Sequence, residues 1–396
     1  MLLAAPLVGA LDLLIAPLMG RAPFDYFDGD MSTVSVSFFL LVIYALLVGG
    51  LSQMREFVKE ADVYKRERLV NLKIFPYVAS KAWVAVLLAL YQALTYTLIR
   101  NIAFEIPGGA QEFLFMYITL VLATLAGMML GLLASALAPA SSSAPLIMIL
   151  LIVPQIVLSG ALAPLPNAAS APASTRWSFE ALMAITGGGS DVDADPCWKL
   201  EKELRDAMTV DDKDNLNCRC MGTNVFNPES CHFPGIGQYY NPAVVAPEPI
   251  EPPPLGDPPS EPIMPDPPEP PADQSDQIAV SAYMVALQDY QEEANLIQDQ
   301  YKAEIEDYQA KGDIYKAEIT AYQTELAEWG IDRMSAISSA EGLIESMNEE
   351  FGWTFVNKDD SSYYYRRIAT TWIAQSLLIL IMFSITLFLI KRKDAK

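Results

Sequence analysis

The chain has few of the residues and motifs on which enzymes commonly rely. Its 396 residues include a single histidine, His232, which excludes a Ser-His-Asp triad in the hydrophobic body and any H-E-x-x-H metalloprotease site. No G-x-x-x-x-G-K-[ST] motif occurs, so the chain has no P-loop with which to hydrolyse ATP. The sequence therefore predicts no catalytic residue, no metal and no cofactor in this chain, and leaves open a role in an enzyme through a partner.

Basic residues are also scarce, and the imbalance is local. The formal net charge is −22, and residues 161–365 hold 37 of the 48 acidic residues but only 11 of the 26 basic ones. Such a surface repels polyanions, so nucleic-acid binding is excluded. The distribution indicates an acidic, solvated domain attached to a slightly basic body.

What the chain does have is long apolar runs. Six stretches are hydrophobic enough to predict transmembrane helices, at about 2–19, 33–52, 82–100, 113–138, 144–163 and 368–390. We therefore predict an all-α integral membrane protein of six spans, with a large extracytoplasmic insertion between the fifth and sixth. Asp12 in the first span, and Gln155 beside Pro154 in the fifth, are costly in lipid and require a protein partner or a cavity.

The loop between the second and third spans sets the orientation. Residues 55–81 carry seven Lys/Arg against four acidic residues, which places this loop in the cytoplasm by the positive-inside rule. Lys391, Arg392 and Lys393 place the C-terminus on the same side, and six spans put the N-terminus there too. Apolar residues at three- and four-residue steps within the loop predict an amphipathic helix. We expect a multi-pass protein of the cell membrane with residues 164–365 outside.

The sequence divides into five regions. Residues 1–163 form spans one to five, with a cytoplasmic helix at 55–68, and residues 351–396 form the last span and its tail. Between them lie a cysteine-containing subdomain (164–245), a Pro-rich rod (246–273) and coiled-coil-like helices (274–350). The rod composition favours extended polyproline II.

All four cysteines, Cys197, Cys218, Cys220 and Cys231, lie in the extracytoplasmic subdomain. An even set confined to one non-membrane segment predicts two disulfides in an oxidising compartment. Three pairings are open, of which Cys218–Cys220 is sterically the least favourable. The alternative is a metal site that uses these thiols and His232, although the spacing matches no common zinc pattern.

The long helical segment has a heptad stripe rich in tyrosine. Its members are Leu287, Ala294, Tyr301, Tyr308, Tyr315, Tyr322 and Trp329. Residues 276–329 would span ~81 Å as a helix, and the 28-residue rod ~87 Å as polyproline II. This similarity suggests an arm that runs out and a helix that returns, with a loose seam or a seam formed with another chain. A separate, shorter helix is predicted over 331–350.

Three segments together carry a family resemblance. VYKRERLVNLKIFPYVASK (63–81), PQIVLSGALAPLP (154–166) and WSFEALM (177–183) resemble the segment before span three, the span-five exit and the re-entry of type-2 ABC exporter membrane domains. The similarity is to the G subfamily, of the White and pleiotropic-drug-resistance type. It extends to bacterial forms fused to forkhead-associated and ATPase domains. It covers about 1–200 and 360–396.

The resemblance implies a homodimer of six-helix domains in membrane lipid. A partner ABC ATPase, which would carry ATP and Mg, would dock on residues 55–68. The resemblance assigns coupling to the ATPase to five residues of this segment: Glu60, Tyr64, Arg66, Glu67 and Arg68. Phe38, Phe39, Gln155 and Leu158 are assigned to a substrate cavity between spans two and five. The chain lacks the family's amphipathic elbow helix, so the ATPase is expected as a separate subunit or as a part lost by truncation.

The predicted function is therefore the transmembrane subunit of an ATP-binding cassette exporter that moves a hydrophobic or lipid-like substrate outward. The alternative is a non-transporting envelope protein, whose acidic rod and helix serve as a spacer or adhesin. An extracytoplasmic protein partner for the long helix is left open under both hypotheses. Several spans with internal polar residues favour the exporter, because an anchor needs only one span.

Overall fold

The computed structural model describes residues 3–272 and 276–394, apart from the side chain of Val8. All regular elements within these residues are helical. The helices are α1 (Ala4–Met19), α2 (Met31–Gln53), α3 (Glu56–Lys59), α4 (Ala61–Leu69), α5 (Ile74–Ala103), α6 (Ala110–Leu137), α7 (Ala144–Val157), α8 (Asn167–Ser170), α9 (Ser174–Thr186), α10 (Ser190–Ala194), α11 (Lys202–Asp206), α12 (Val210–Asn215), α13 (Gln277–Phe351) and α14 (Ser361–Asp394).

Four helical stretches in the described residues are long and apolar enough to cross a membrane: 31–59, 74–103, 110–137 and 361–394. Helices α1 and α7 are apolar but shorter, at 16 and 14 residues. The fifth span was expected to reach residue 163, but α7 ends at Val157, and the chain then turns through Gly160 with a φ of +79°. The structure therefore supports a helical membrane protein, and six spans remain a prediction.

Glycines allow α2 and α6 to pack with their backbones in contact. A methyl group at Gly127 of α6 would lie on the carbonyl oxygen of Leu46, and one at Gly49 of α2 would lie on that of Thr124. Gly131 is equally close to the carbonyl oxygen of Gly50. Small residues permit this approach because no side chain separates the helices. The α2–α6 pair is the centre around which the other apolar helices pack.

The segment after α9 is held by two disulfides, as the cysteine pattern predicted. Cys197 pairs with Cys218 and Cys220 with Cys231, with Cα–Cα distances of 5.6 and 5.0 Å. The carboxylate of the buried Asp195 joins the two bridges, accepting the backbone N–H of Cys197 at 2.9 Å and of Cys220 at 2.8 Å. Burial raises the pKa of Asp195, against the lowering effect of these N–H donors.

The metal alternative is not supported by this arrangement. Asp195, Cys197 and Cys218 lie close together, but the two thiols are joined in a disulfide and cannot act as thiolate ligands. The His232 ring stacks on Tyr26 at 6.1 Å between centroids. The structure thus places the one histidine in an aromatic contact.

Residues Asn241–Ser335 form a second compact unit, separate from the unit made by 1–240 and 336–396. Helix α13 is continuous over 75 residues, so the separate helix expected over 331–350 is not formed. Gly330 has open space around it and costs a helix interior only about 1 kcal/mol, which is too little to interrupt it. Residues 273–275, at the junction between the rod and the helix, lie outside the described residues.

Helix α13 contacts the chain's own proline-rich segment at Trp329 of the heptad stripe and beside Gly312. Half-buried positions in that segment recur every third residue, with one step of four: Ala246, Pro249, Pro252, Leu255, Pro259, Pro262, Pro265, Pro268 and Pro271. The indole N–H of Trp329 donates to the Ala246 carbonyl at 3.2 Å, and Leu255 lies beside Gly312. Nine polyproline residues rise ~28 Å and 17 helical residues ~25 Å, so the two run antiparallel in step. The heptad stripe therefore has a partner within this unit.

Candidate functional site

The segment predicted to dock an ATPase consists of α3 and α4, with a break at Glu60 between them. The backbone N–H groups of Phe57 and Val58 donate to the hydroxyl oxygen of Ser135 in α6, at 2.9 and 3.2 Å. The Ser135 side chain thus accepts two of the otherwise unpaired N–H groups at the start of α3. This attaches the segment to the end of α6.

Glu60 attaches the same segment to the start of α5. Its carboxylate lies 2.6 Å from the ammonium nitrogen of Lys81, and the Glu56 carboxylate lies 3.5 Å from the same nitrogen. The Tyr77 ring, also on α5, packs against Tyr64 of α4 at 4.8 Å between centroids. Glu60, predicted as a docking residue, is therefore engaged within the chain.

Tyr64 and Arg68 attach α4 to the end of α14. The Arg68 guanidinium donates from Nε to Asp394 at 2.8 Å, and the Tyr64 hydroxyl lies 3.4 Å from the same carboxylate. The hydrogen bond to Asp394 raises the pKa of Arg68, and burial, followed by the Asp394 charge, raises the pKa of Tyr64. Arg68 also donates to the Leu72 carbonyl at 2.6 Å, which closes the turn after α4.

Arg66 and Glu67 lie on the opposite face of α4. Both are exposed and, within the described part of the chain, neither forms an ion pair. They border a groove of about 570 Å³, together with Val63, Val70, Asn71 and Leu72. Val70 is 83% exposed and the neighbouring Leu69 88%. The structure thus separates the five predicted docking residues into three that face inward and two that face outward.

The residues predicted for a substrate cavity are occupied in packing and capping. Phe38 and Phe39 of α2 are buried, the first against Phe24 at 6.0 Å and the second against Phe179 of α9 at 6.3 Å between centroids. Two cavities, of about 750 and 570 Å³, lie beside α4, at the end of the bundle that carries the basic residues of 55–81 (the basic end). Neither Phe lines them. In this conformation the two rings join α2 to its neighbours.

Gln155 of α7 holds the start of α9. Its side-chain oxygen accepts the backbone N–H of Ser174 at 2.7 Å and the Ser174 hydroxyl at 3.2 Å, and its backbone carbonyl accepts the Thr175 hydroxyl. Leu158 closes α7 by donating its N–H to the Pro154 carbonyl at 2.9 Å. A capping role for Gln155 was not evident from the sequence, because the residues that it caps are 19 positions away.

Two buried ion pairs were also missed by the sequence analysis. Arg100 of α5 lies 3.7 Å from Asp12 of α1 and donates to the Ser37 hydroxyl of α2 at 2.6 Å. Its guanidinium covers the Phe104 ring at 3.9 Å from the centroid. One acidic and one basic residue within two separate apolar runs were the sequence signal that could have indicated this pair. In this conformation Asp12 is paired with Arg100 of the neighbouring helix α5.

The second pair joins α9 to α14. The buried Glu180 carboxylate lies 2.6 Å from Arg367 and 3.6 Å from Arg176. Arg367 also donates to the Trp353 carbonyl at 3.0 Å, and a methyl group at Gly160 would lie 3.0 Å from the Trp353 ring. The Leu-Ser-Gly turn after α7, the start of α14 and α9 therefore meet around Glu180 and Trp353.

Together, these features describe a bundle of long apolar helices with a charged helical segment attached to the ends of its candidate spans. Residues 8–184 match the family model described as ABC-2 type transporter. This match supports a type-2 ABC permease, the transmembrane subunit of an ABC transporter, and such domains work with an ATPase partner, generally as dimers. No curated protein matches the chain significantly.

Proposed function

We propose that the chain is the permease half of a G-subfamily exporter, which moves a hydrophobic or lipid-like substrate outward when a partner ATPase docks on residues 55–68. The observation that carries this proposal is the two-faced character of α4. The inward side of the α3–α4 segment is joined to α6 through Phe57 of α3, to α5 through Glu60 in the break, and to α14 through Arg68 of α4. The other presents Arg66 and Glu67, exposed and without ion pairs in the described residues.

This arrangement suits the transmission of force. A displacement of α3 and α4 would be transmitted to α5 through the Glu60–Lys81 ion pair and to α6 through Ser135. It would be transmitted to α14 through the Arg68–Asp394 ion pair. Together, the two ion pairs and the hydrogen bonds to Ser135 hold the segment to the ends of the candidate spans as a unit. The ends of three candidate spans would then move with the ATPase.

Charge and cysteine chemistry support the same orientation. The basic loop and the Lys391–Lys393 cluster favour the cytoplasmic side. Both disulfides lie in the long segment between α7 and α14, and disulfides persist in oxidising compartments outside the cytosol. The α4 face would therefore meet a cytoplasmic ATPase, and the disulfide segment would lie outside the cell.

The substrate path would run between α2 and α7 and past the Leu158-Ser159-Gly160 turn. Opening it requires that Phe38, Phe39 and Gln155 exchange their present contacts for contacts with substrate. Helix α7 also exposes a row of apolar residues, with Leu146 and Leu150 each 72% exposed. A second copy could cover this row, which supports the homodimer.

We expect Glu67→Arg to reduce co-purification of the ATPase about tenfold and to abolish coupled transport. Reversing an exposed interfacial charge creates like-charge repulsion with a partner that is complementary to it. The measurement is quantitative recovery of the ATPase from native membranes in gentle detergent, followed by transport in reconstituted vesicles. Glu306→Arg is the matched control, because it makes the same charge change on an exposed residue of the second unit.

Unchanged ATPase recovery in Glu67→Arg, with a dimer of normal size, would contradict docking on this face. If no ATPase accompanies even the unaltered chain, the membrane-anchored envelope protein becomes the better hypothesis.

A further inference from the structure

A cavity of about 750 Å³ lies at the basic end of the bundle, on the inward face of α4. It is lined by the ends of all four candidate spans: Phe57 from the first, Tyr77 from the second, Ser135 from the third, and Ile390 from the fourth. Because the spans end there, the cavity lies at the level where the hydrocarbon of a bilayer gives way to its headgroups. Its volume is within the range of small-molecule sites.

The lining combines an apolar wall with an excess of positive charge. Ala61, Ala138, Pro139 and Ile390 contribute to the apolar wall. The charged lining residues are Lys65, Arg68, Lys393 and Asp394, which sum to +2.

Within the described residues, one of these three cations is paired with a carboxylate. Arg68 is paired with Asp394 at 2.8 Å. Lys393 donates to the Ala138 carbonyl at 3.0 Å, and neither it nor Lys65 has a carboxylate partner among the residues that the structure describes. Two lysines beside an apolar wall therefore have no counter-charge in the part of the chain that the structure describes.

We propose that this cavity binds an acidic phospholipid of the adjoining leaflet. The lipid phosphate would lie between Lys65 and Lys393. The parts of the acyl chains nearest the headgroup would lie against the apolar wall that contains Ala138 and Ile390. Charge complementarity favours an anion, and the apolar wall at the span ends favours one that carries a hydrocarbon chain. Such a lipid would stabilise α4 against α14 from the side opposite Arg66 and Glu67, the two exposed residues proposed to contact the ATPase.

The test is native mass spectrometry of the full chain in detergent, titrated with phosphatidylglycerol or phosphatidylcholine of the same acyl chains. We expect phosphatidylglycerol to bind more tightly than phosphatidylcholine. The double variant Lys65→Gln/Lys393→Gln should lose roughly thirtyfold in affinity for phosphatidylglycerol, since each lysine near a lipid anion contributes about 1 kcal/mol. The matched control is Lys59→Gln/Lys391→Gln, which removes two exposed lysines of the same region that do not line the cavity. That control variant should keep the preference for phosphatidylglycerol over phosphatidylcholine to within about twofold of the unaltered chain.

A second variant separates the cavity from the surface charge. Ala61→Phe places a phenyl ring in the cavity and keeps every lysine, so phosphatidylglycerol binding should fall. Binding at unchanged affinity would mean that the lysines attract the lipid from outside the cavity and would overturn the proposal. Equal affinity for phosphatidylcholine, or equal losses in the two double variants, would also overturn it. Displacement by excess inorganic phosphate would indicate a free-anion site instead. The assay contains no ATPase and measures no transport, so its result is independent of the exporter hypothesis.

Discussion

Replacing Glu180 with alanine is expected to lower the free energy of unfolding by about 3 kcal/mol. The carboxylate is buried and lies between Arg367 and Arg176, so its removal leaves two cations facing each other. Loss of one partner of a buried ion pair costs about 3–5 kcal/mol. The lower end applies because the Arg367 side chain is about one-third exposed and can be partly rehydrated. The measurement is equilibrium unfolding of the detergent-solubilised chain, with the thermal midpoint as a second readout.

Glu180→Gln separates charge from shape in this cluster. The amide keeps the size of the side chain and can still accept a hydrogen bond from Arg367, so its cost should be about half that of alanine. Burial raises the pKa of Glu180, against the lowering effects of Arg367 and Arg176. Glu180 therefore contributes most below its unfolded-state pKa, and that contribution declines as the pH rises through its folded-state pKa. Glutamine does not titrate, so a change with pH in the stability difference between glutamate and glutamine reports the ionisation of Glu180. An alanine variant as stable as the unaltered chain would contradict this account of the cluster.

Long apolar helices were predictable from hydrophobicity alone. The four long candidate spans all correspond to apolar runs identified in the sequence. The extent of α7 was not predictable in this way, because residues 158–163 are apolar yet form a turn. Gly160 adopts a φ of +79° there and packs against Trp353, a residue nearly 200 positions away. A hydropathy pattern cannot register such a contact.

The candidate site was likewise predictable in part. A charged helix between two spans was evident from the pattern of residues 55–81, but the charges could not be sorted into inward and outward ones. That sorting depends on Lys81, Ser135 and Asp394, which reach the segment only in the folded chain. For Tyr64 and Arg68, the residue that mattered most was Asp394, at the far end of the sequence. Similarly, the tyrosine heptads indicated a seam but not its partner, since a polyproline partner has no heptad pattern of its own.

Gly127→Ala is expected to destabilise the chain by up to about 2 kcal/mol, although alanine is the better helix former. The added methyl group would overlap the carbonyl oxygen and Cα of Leu46, and these are backbone atoms that cannot rotate away. Overpacking costs about 1–3 kcal/mol, which exceeds the gain of about 1 kcal/mol from helix propensity. Gly342→Ala in α13 is the matched control: it has open space within 4 Å and should stabilise the chain by up to about 1 kcal/mol. Equilibrium unfolding in detergent gives both values, and opposite signs for the same substitution would show that α2 and α6 pack backbone to backbone. If both glycines gave stabilised variants, the close α2–α6 contact would be excluded, because helix propensity alone would then govern both sites.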